Sequence, residues 1–274
     1  MKFSLDEFEI TLPNGLVLPC VAVGDPRGTP LLMLHGYTDS WRSFEPLLPH
    51  LPSSIRAIAF TQRGHGDASK PISGYRPQDF ASDLNELMDA LELEAAVVLG
   101  HSMGSYIAQC FALDYPSRTL GVVLVGPFLA PKSNPGIAEL WTAVSQFEDP
   151  ISPDFALEFQ QSTLAQPVPK MLLNTVTGES LKTPARVWRA ALQELRKADH
   201  IAQLGRIQAP TLVVWGDRDG LFTRADQEAL QLAIPNAELL VYQGAGHALH
   251  WEEPERFGQD VSNFVQGVAA RLAA

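Results

Sequence analysis

The chain begins with alternating polar and apolar residues and then changes to short, continuous apolar runs. The alternation covers positions 8–23 on both sides of Pro13-Asn14-Gly15, and Asn-Gly favours a turn between two antiparallel strands. Continuous apolar runs are typical of strands that are buried on both faces of a parallel sheet. Such runs occupy positions 31–34, 55–60, 96–99 and 122–125. The pattern therefore predicts a hairpin that opens a mostly parallel sheet.

Apolar residues at helical spacing lie between and after these runs. From Phe80 to Leu91 they recur every three or four positions, which predicts a helix with one face on the sheet. A second helix should begin after Ser102 and end before Pro116, and a last helix should cover positions 257–268. With further strands at 211–215 and 238–242, we expect an α/β fold with a mostly parallel sheet of about eight strands flanked by helices.

The short apolar runs typical of strands are absent between Pro127 and about Lys197, and the spacing of apolar residues there is helical. Ser152-Pro153 and Thr183-Pro184 each resemble an N-cap followed by a proline in the first helical turn. We interpret this segment as an inserted helical cap. The predicted organisation is a first part of the core at 1–130, the cap at 131–197 and a second part of the core at 198–274.

The composition and net charge of the chain argue against some classes of binding partner. A chain of 274 residues with 46% hydrophobic side chains can bury a sizeable core. Its net charge of -11 repels nucleic acid and anionic membrane surfaces, so we expect neither as a partner and expect a small-molecule substrate instead. The sequence has no apolar segment long enough for a signal peptide or a membrane helix, which favours a soluble, cytoplasmic protein. The oligomeric state is left open.

The two cysteines give no support to a disulfide framework or a metal site. Cys20 and Cys110 are far apart in the sequence, and neither has a His or Cys beside it at ligand spacing. Both are expected to be small buried apolar residues.

The segment Gly100-His101-Ser102-Met103-Gly104 joins a predicted strand to a predicted helix. A Gly-x-Ser-x-Gly motif in this context is typical of a nucleophile elbow, in which a strained turn exposes the serine. A serine hydroxyl is a weak nucleophile at neutral pH, so it needs a base that is oriented by a third group. Taken alone, the same residues could form an ordinary Gly-Ser turn.

Candidates for the base and its partner follow two later strands. Asp217 and Asp219 come directly after the strand at 211–215, and His247 comes after the strand at 238–242. The carboxyl edge of an open α/β sheet is where active sites form, so these side chains are expected near Ser102. Without the neighbouring motifs, each carboxylate could equally be a solvated loop residue.

The order Ser, Asp, His, together with Gly-His-Ser-Met-Gly, Trp-Gly-Asp-Arg-Asp and Gly-Ala-Gly-His, resembles the α/β-hydrolase superfamily over nearly the whole chain. The resemblance implies a serine esterase or lipase with a catalytic triad and no cofactor or metal. It implies Ser102 as nucleophile, His247 as base and Asp219 as acid, with Asp217 as the alternative acid. His-Gly-Tyr at 35–37 resembles the oxyanion loop of the family, which implies the backbone N–H groups of Tyr37 and Met103 as the oxyanion hole.

Aromatic residues of the predicted cap indicate an apolar substrate pocket, although any one of them could simply pack the cap onto the core. The candidates are Trp141, Phe155, Phe159 and Trp188. The predicted function is hydrolysis of a small to medium hydrophobic carboxylic ester through an acyl-enzyme. The alternatives are a lactonase, a carbon-carbon hydrolase or a cofactor-free perhydrolase with the same triad. Outside these enzymes, the chain could be a slow-turnover ligand-sensing protein or a purely structural α/β module.

Overall fold

A single eight-stranded sheet runs through the centre of the protein in a computed structural model that describes residues 5–273. Residues 1–4 and 274, at the two ends of the predicted core segments, lie outside the described part. The strand order is β1-β2-β4-β3-β5-β6-β7-β8. The strands are β1 (Asp6–Thr11), β2 (Val17–Val23), β3 (Thr29–Leu34), β4 (Ile55–Phe60), β5 (Ala96–His101), β6 (Thr119–Val125), β7 (Thr211–Gly216) and β8 (Ala237–Tyr242).

Only the first hairpin departs from parallel pairing. Strand β2 is antiparallel to both β1 and β4, whereas the six strands from β4 to β8 in the sheet order run parallel to one another. The predicted hairpin, the parallel runs and the count of eight strands are confirmed.

Helices cover both faces of this sheet, which is why the central strands are continuously apolar. The helices are α1 (Pro77–Ala90), α2 (Met103–Asp114), α3 (Pro135–Val144), α4 (Pro153–Ser162), α5 (Lys170–Lys182), α6 (Ala185–Lys197), α7 (Arg224–Ala233), α8 (Leu249–Glu252) and α9 (Pro254–Ala273). Alternate residues of β3 pack into different hydrophobic clusters, one on each face of the sheet. Leu32 and Leu34 pack with the apolar residues of α1 and α2, and Leu31 and Met33 with those of α9.

Four helices, α3 to α6, lie between β6 and β7 along the chain. Helix α4 begins as predicted, because Ser152 Oγ accepts the Phe155 N–H at 3.4 Å. The expected N-cap at Thr183 is wrong. Pro184 is the N-cap residue of α6, and the Ala185 N–H donates instead to Asp149 Oδ1 at 2.7 Å, a partner 36 positions away.

Helices α5 and α7 were not predicted. The buried residues of α5 are Val176, Glu179 and Ser180, so its inner face is largely polar and gives little apolar periodicity. Over residues 5–273, no helix combines the length and apolarity needed to span a bilayer.

Candidate active site

Ser102 lies in the sharp turn between β5 and α2. Its backbone has φ 53° and ψ −118°, a left-handed conformation that costs a non-glycine residue about 1–3 kcal/mol. The Ser102 N–H donates to Val125 O at 2.9 Å, which ties the turn to the end of β6. A Cβ on Gly100 would lie 2.1 Å from Gly104 O, and one on Gly104 would lie 2.2 Å from Leu34 O. Both flanking positions therefore require glycine.

His247 and Asp219 form a buried pair at the ends of β8 and β7. His247 Nδ1 lies 2.8 Å from Asp219 Oδ2, and the two side chains are 2% and 0% exposed. Asp219 Oδ1 also accepts the N–H groups of Leu221 and Phe222, at 2.8 and 3.1 Å. Because Nδ1 faces a carboxylate, it carries the proton, and the lone pair of the neutral ring lies on Nε2.

The Nε2 atom of His247 is buried and has no hydrogen-bond partner among the described residues, so it is not bonded to Ser102 Oγ. Both residues nevertheless contact the end of β6. Val125 O accepts the Ser102 N–H, and a Cβ on the next residue, Gly126, would lie 2.8 Å from His247 Nδ1. The unpartnered Nε2 can accept a hydrogen bond, and bonds between a serine and a neighbouring histidine often tighten only when substrate is bound.

Asp217, the alternative acid, lies elsewhere. Its Oδ1 accepts the Gly244 N–H at 2.6 Å, and the residue is exposed. The structure therefore pairs His247 with Asp219 and uses Asp217 to hold the loop after β8.

The other buried histidines have structural partners. His35 Nδ1 donates to Gly36 O at 2.8 Å, and its Nε2 accepts the Gln62 N–H at 3.0 Å. His101 Nε2 lies 3.3 Å from His247 O, and His250 Nε2 lies 3.2 Å from Ser43 Oγ. Burial lowers the pKa of His250 to about 3 and the pKa of His101 well below its usual range, so both are neutral.

The two predicted oxyanion donors have free N–H groups. Tyr37 follows β3, and Met103 is the first residue of α2, where helical N–H groups have no internal acceptor. Neither N–H donates to any described residue. The Tyr37 hydroxyl donates to Trp188 O at 2.5 Å, so the side chain is fixed in the helical segment while its backbone N–H stays available.

A buried carboxyl that sequence reasoning missed lies two residues after Tyr37. Asp39 is 2% exposed, its Oδ1 accepts from Gln160 Nε2 of α4 at 2.8 Å, and its Oδ2 accepts from Ser43 Oγ at 3.3 Å. Burial raises the pKa of Asp39 to about 7, against the opposing effect of these hydrogen bonds and of His247. A fully buried Asp on a loop carries no sequence signal, because Asp is typical of exposed loops.

Two further residues position the histidine loop. The side chain of Glu252 accepts the Gly246 N–H at 2.8 Å and also the N–H groups of Ala165 and Gln166, at 2.6 and 2.9 Å. It therefore joins the residue before His247 to the segment after α4. Gly126 has φ +52° and packs against the His247 ring, so this position admits no larger residue without displacing the ring.

A cavity of about 440 Å³ opens beside Ser102, Tyr37 and Met103. Of the four predicted pocket residues, Phe155 and Phe159 line it. Trp141 and Trp188 are not among its lining residues. Trp188 is fully buried within the helical segment, where Nε1 donates to Thr183 O at 3.0 Å. Within residues 5–273, no group of three or more His, Cys, Asp or Glu side chains is placed to hold a metal ion.

Comparison with known proteins agrees with this architecture. The profile of the alpha/beta hydrolase fold matches residues 29–254, so the chain belongs to the α/β-hydrolase fold family. It is 27% identical to 2-(acetamidomethylene)succinate hydrolase of Mesorhizobium japonicum, over 87% of this chain and 88% of that protein. It is 28% identical to 2-hydroxy-6-oxononadienedioate/2-hydroxy-6-oxononatrienedioate hydrolase 1 of Dechloromonas aromatica, over 86% of each. An esterase from Exiguobacterium antarcticum superposes with a TM-score of 0.85 at 25% identity, covering 95% of this chain and 100% of that one.

Proposed function

We propose that this protein is a serine hydrolase that cleaves small to medium hydrophobic carboxylic esters through an acyl-enzyme. The observation that carries the proposal is the buried 2.8 Å pair of Asp219 and His247, which leaves Nε2 unpartnered beside the strained turn of Ser102. The largely apolar cavity that Ser102 lines favours an uncharged, hydrophobic acyl group.

In the proposed acylation step, His247 Nε2 takes the hydroxyl proton as Ser102 Oγ attacks the ester carbonyl carbon. The carbonyl oxygen becomes an oxyanion and accepts the N–H groups of Tyr37 and Met103, with the positive end of α2 adding to its stabilisation. Asp219 holds the ring in the required tautomer and stabilises the imidazolium. When the carbon–oxygen bond of the ester breaks, the imidazolium returns its proton to the leaving alcohol.

Deacylation repeats these roles with water as the nucleophile. His247 Nε2 removes a proton from water, the resulting hydroxide attacks the acyl carbon, and Ser102 leaves after receiving the proton from the ring. The products are the carboxylic acid and free enzyme.

We also propose that positions 131–197, which contain α3 to α6, act as a cap over the core segments 1–130 and 198–274. Support comes from the cavity, which is lined by Ser102 and Met103 of the core and by Phe155 and Phe159 of α4. The ester therefore enters a space that both parts of the chain enclose.

The test is hydrolysis of 4-nitrophenyl esters of graded acyl length by wild type and Ser102→Ala, with labelling by a fluorophosphonate. We expect hydrolysis and labelling in wild type, and neither in Ser102→Ala. Ser105→Ala is the matched control, because Ser105 is buried in α2, donates to Ser102 O at 2.6 Å and is not among the residues lining the cavity. Equal hydrolysis by wild type and Ser102→Ala would refute the proposal. Lactones and peracid formation assayed in parallel would reveal either alternative chemistry.

A further inference from the structure

The charges around the cavity beside Ser102 are of one sign. None of its lining residues, all of which lie in the described part of the chain, is Lys, Arg or His. Two are acidic, Glu139 of α3 and Glu158 of α4, and both are exposed. Most of the remaining lining is apolar, and its neutral polar side chains are those of Tyr37, Ser102, Asn134 and Ser162. A carboxylate in this space would meet two negative charges and no cation.

The arginines on helix α6 are engaged outside the cavity. Arg186 donates to Pro71 O and Lys70 O, at 2.7 and 2.6 Å. Arg189 Nη1 donates to Phe147 O, and the guanidinium of Arg196 lies 5.0 Å from the centre of the Trp141 ring. Neither Phe147 nor Trp141 lines the cavity. These cations are therefore held against other partners rather than directed at a bound substrate.

We propose that the cavity selects neutral hydrophobic acyl groups and discriminates against acyl groups that carry a carboxylate; this inference rests on the proposed function. A carboxylate loses its hydration on entering an apolar space and regains nothing there without a donor or cation. Glu139 and Glu158, the two exposed rim glutamates, add electrostatic repulsion that salt screens. The two relatives described above are named for a succinate and for dioates, which are dicarboxylates. The cavity of this chain offers no cationic side chain to such a group.

Three 4-nitrophenyl esters of equal acyl length test the inference, with the far end of the acyl chain carrying a methyl, a carboxylate or a trimethylammonium group. We expect kcat/KM for the methyl ester to exceed that for the carboxylate ester by about tenfold or more. The trimethylammonium ester should also be preferred over the carboxylate ester. That preference should shrink as sodium chloride is added, because both glutamates are exposed and screened.

The variant Glu139→Gln/Glu158→Gln should lower the ratio of trimethylammonium to carboxylate hydrolysis by about threefold or more. Glu238→Gln/Glu255→Gln is the matched control, because it changes the net charge equally at two exposed positions that do not line the cavity. It should leave the ratio unchanged.

The outcomes separate this inference from the proposed function. If hydrolysis depends on Ser102 but the carboxylate ester is cleaved as fast as the methyl ester, the inference is overturned and the proposed function stands. An equal loss of the charge preference in both double variants also overturns the role of the rim glutamates. If no ester is hydrolysed in a Ser102-dependent way, the proposed function falls and the inference falls with it.

Discussion

Gln160 of helix α4 donates a hydrogen bond of 2.8 Å to Asp39, in the loop that carries the Tyr37 N–H. A second contact runs in parallel, because Thr38 Oγ1 lies 3.2 Å from Ser180 Oγ of α5. Thr38 has φ 64°, so this loop has a strained backbone residue directly beside both contacts. The segment inserted between β6 and β7 therefore helps to hold the loop that supplies one predicted oxyanion donor.

Replacing Gln160 with Leu should destabilise the protein, because it leaves the buried Asp39 without its closest donor. We expect the free energy of unfolding to fall by about 1–3 kcal/mol, and kcat/KM to fall because the Tyr37 loop loses a support. Gln161→Leu is the control: Gln161 is exposed, and its loss should cost under about 0.5 kcal/mol. Denaturant unfolding of both variants provides the comparison, and equal stabilities would contradict the role assigned to Gln160.

Asp39 should make stability depend on pH between about 4 and about 7. Burial raises its pKa in the folded protein to about 7 from 3.8, so in this range the folded state binds a proton that the unfolded state does not. Stability should therefore fall as pH rises through this window, by on the order of 4 kcal/mol in total. Of the titratable groups nearby, His247 lowers the pKa of Asp39 and Glu179 raises it.

Asp39→Asn keeps the shape of the side chain and removes this titration. The difference in unfolding free energy between Asp39→Asn and wild type, measured by denaturant titration from pH 4 to pH 8, should grow with pH. Parallel curves would show that Asp39 does not titrate in this range.

Gly126→Ala should impair catalysis by displacing His247. The new Cβ would lie 2.8 Å from Cε1 and Nδ1 of the ring, at a position with φ +52°. We expect a loss of about tenfold to a hundredfold in kcat/KM, as geometry at the base is disturbed. Gly267→Ala in α9 is the control, because a Cβ there meets nothing within 4 Å, and it should stabilise the helix by about 0.5–1 kcal/mol. Full activity in Gly126→Ala would argue that the ring tolerates the displacement.

Asp219→Asn and Asp217→Asn should have very different effects. Asp219 bonds the His247 ring, whereas Asp217 accepts a loop N–H and lies 4.0 Å from Arg218 Nε. Asp219→Asn should lower kcat by up to about 10⁴-fold, the scale found when the same change is made in a serine protease, because the ring adopts the wrong tautomer. Asp217→Asn should retain most activity. Comparable losses in steady-state assays of both variants would invalidate the assignment of Asp219.

Substitution of Phe159 should change substrate preference, whereas substitution of Trp188 should lower stability. Phe159 lines the cavity and is partly exposed, so Phe159→Ala should shift the preferred acyl chain to greater length. Trp188 is fully buried and does not line the cavity, so Trp188→Ala should cost about 3–5 kcal/mol in unfolding free energy. A series of 4-nitrophenyl esters and denaturant unfolding measure the two effects. A shift in acyl preference with Trp188→Ala alone would reverse these roles.

The helices show where sequence patterns succeed and where they fail. Helix α1 was predicted from its apolar stripe, which packs on the sheet. Helix α5 was missed, because its buried Glu179 and Ser180 are held by polar contacts: Glu179 pairs with Lys182 at 2.7 Å, and Ser180 accepts from Gln160 at 2.8 Å. Periodicity detects burial only where the buried side chains are apolar.

Local sequence pattern was sufficient to predict the features that depend on residues close together in the chain. Continuous apolar runs predicted the strands, and the glycines around Ser102 predicted its turn. Ser102, Asp219 and His247 each follow a predicted strand, β5, β7 and β8, and were therefore expected together, because parallel strands end at one edge of a sheet. Only the tertiary structure decided that Asp219 rather than Asp217 meets His247 and that Asp39 is buried against Gln160. It also decided that Trp188 packs behind Phe155 and Phe159 without lining the cavity itself. Each of these depends on residues far apart in the chain, whose separation in space is set by packing and not by spacing in sequence.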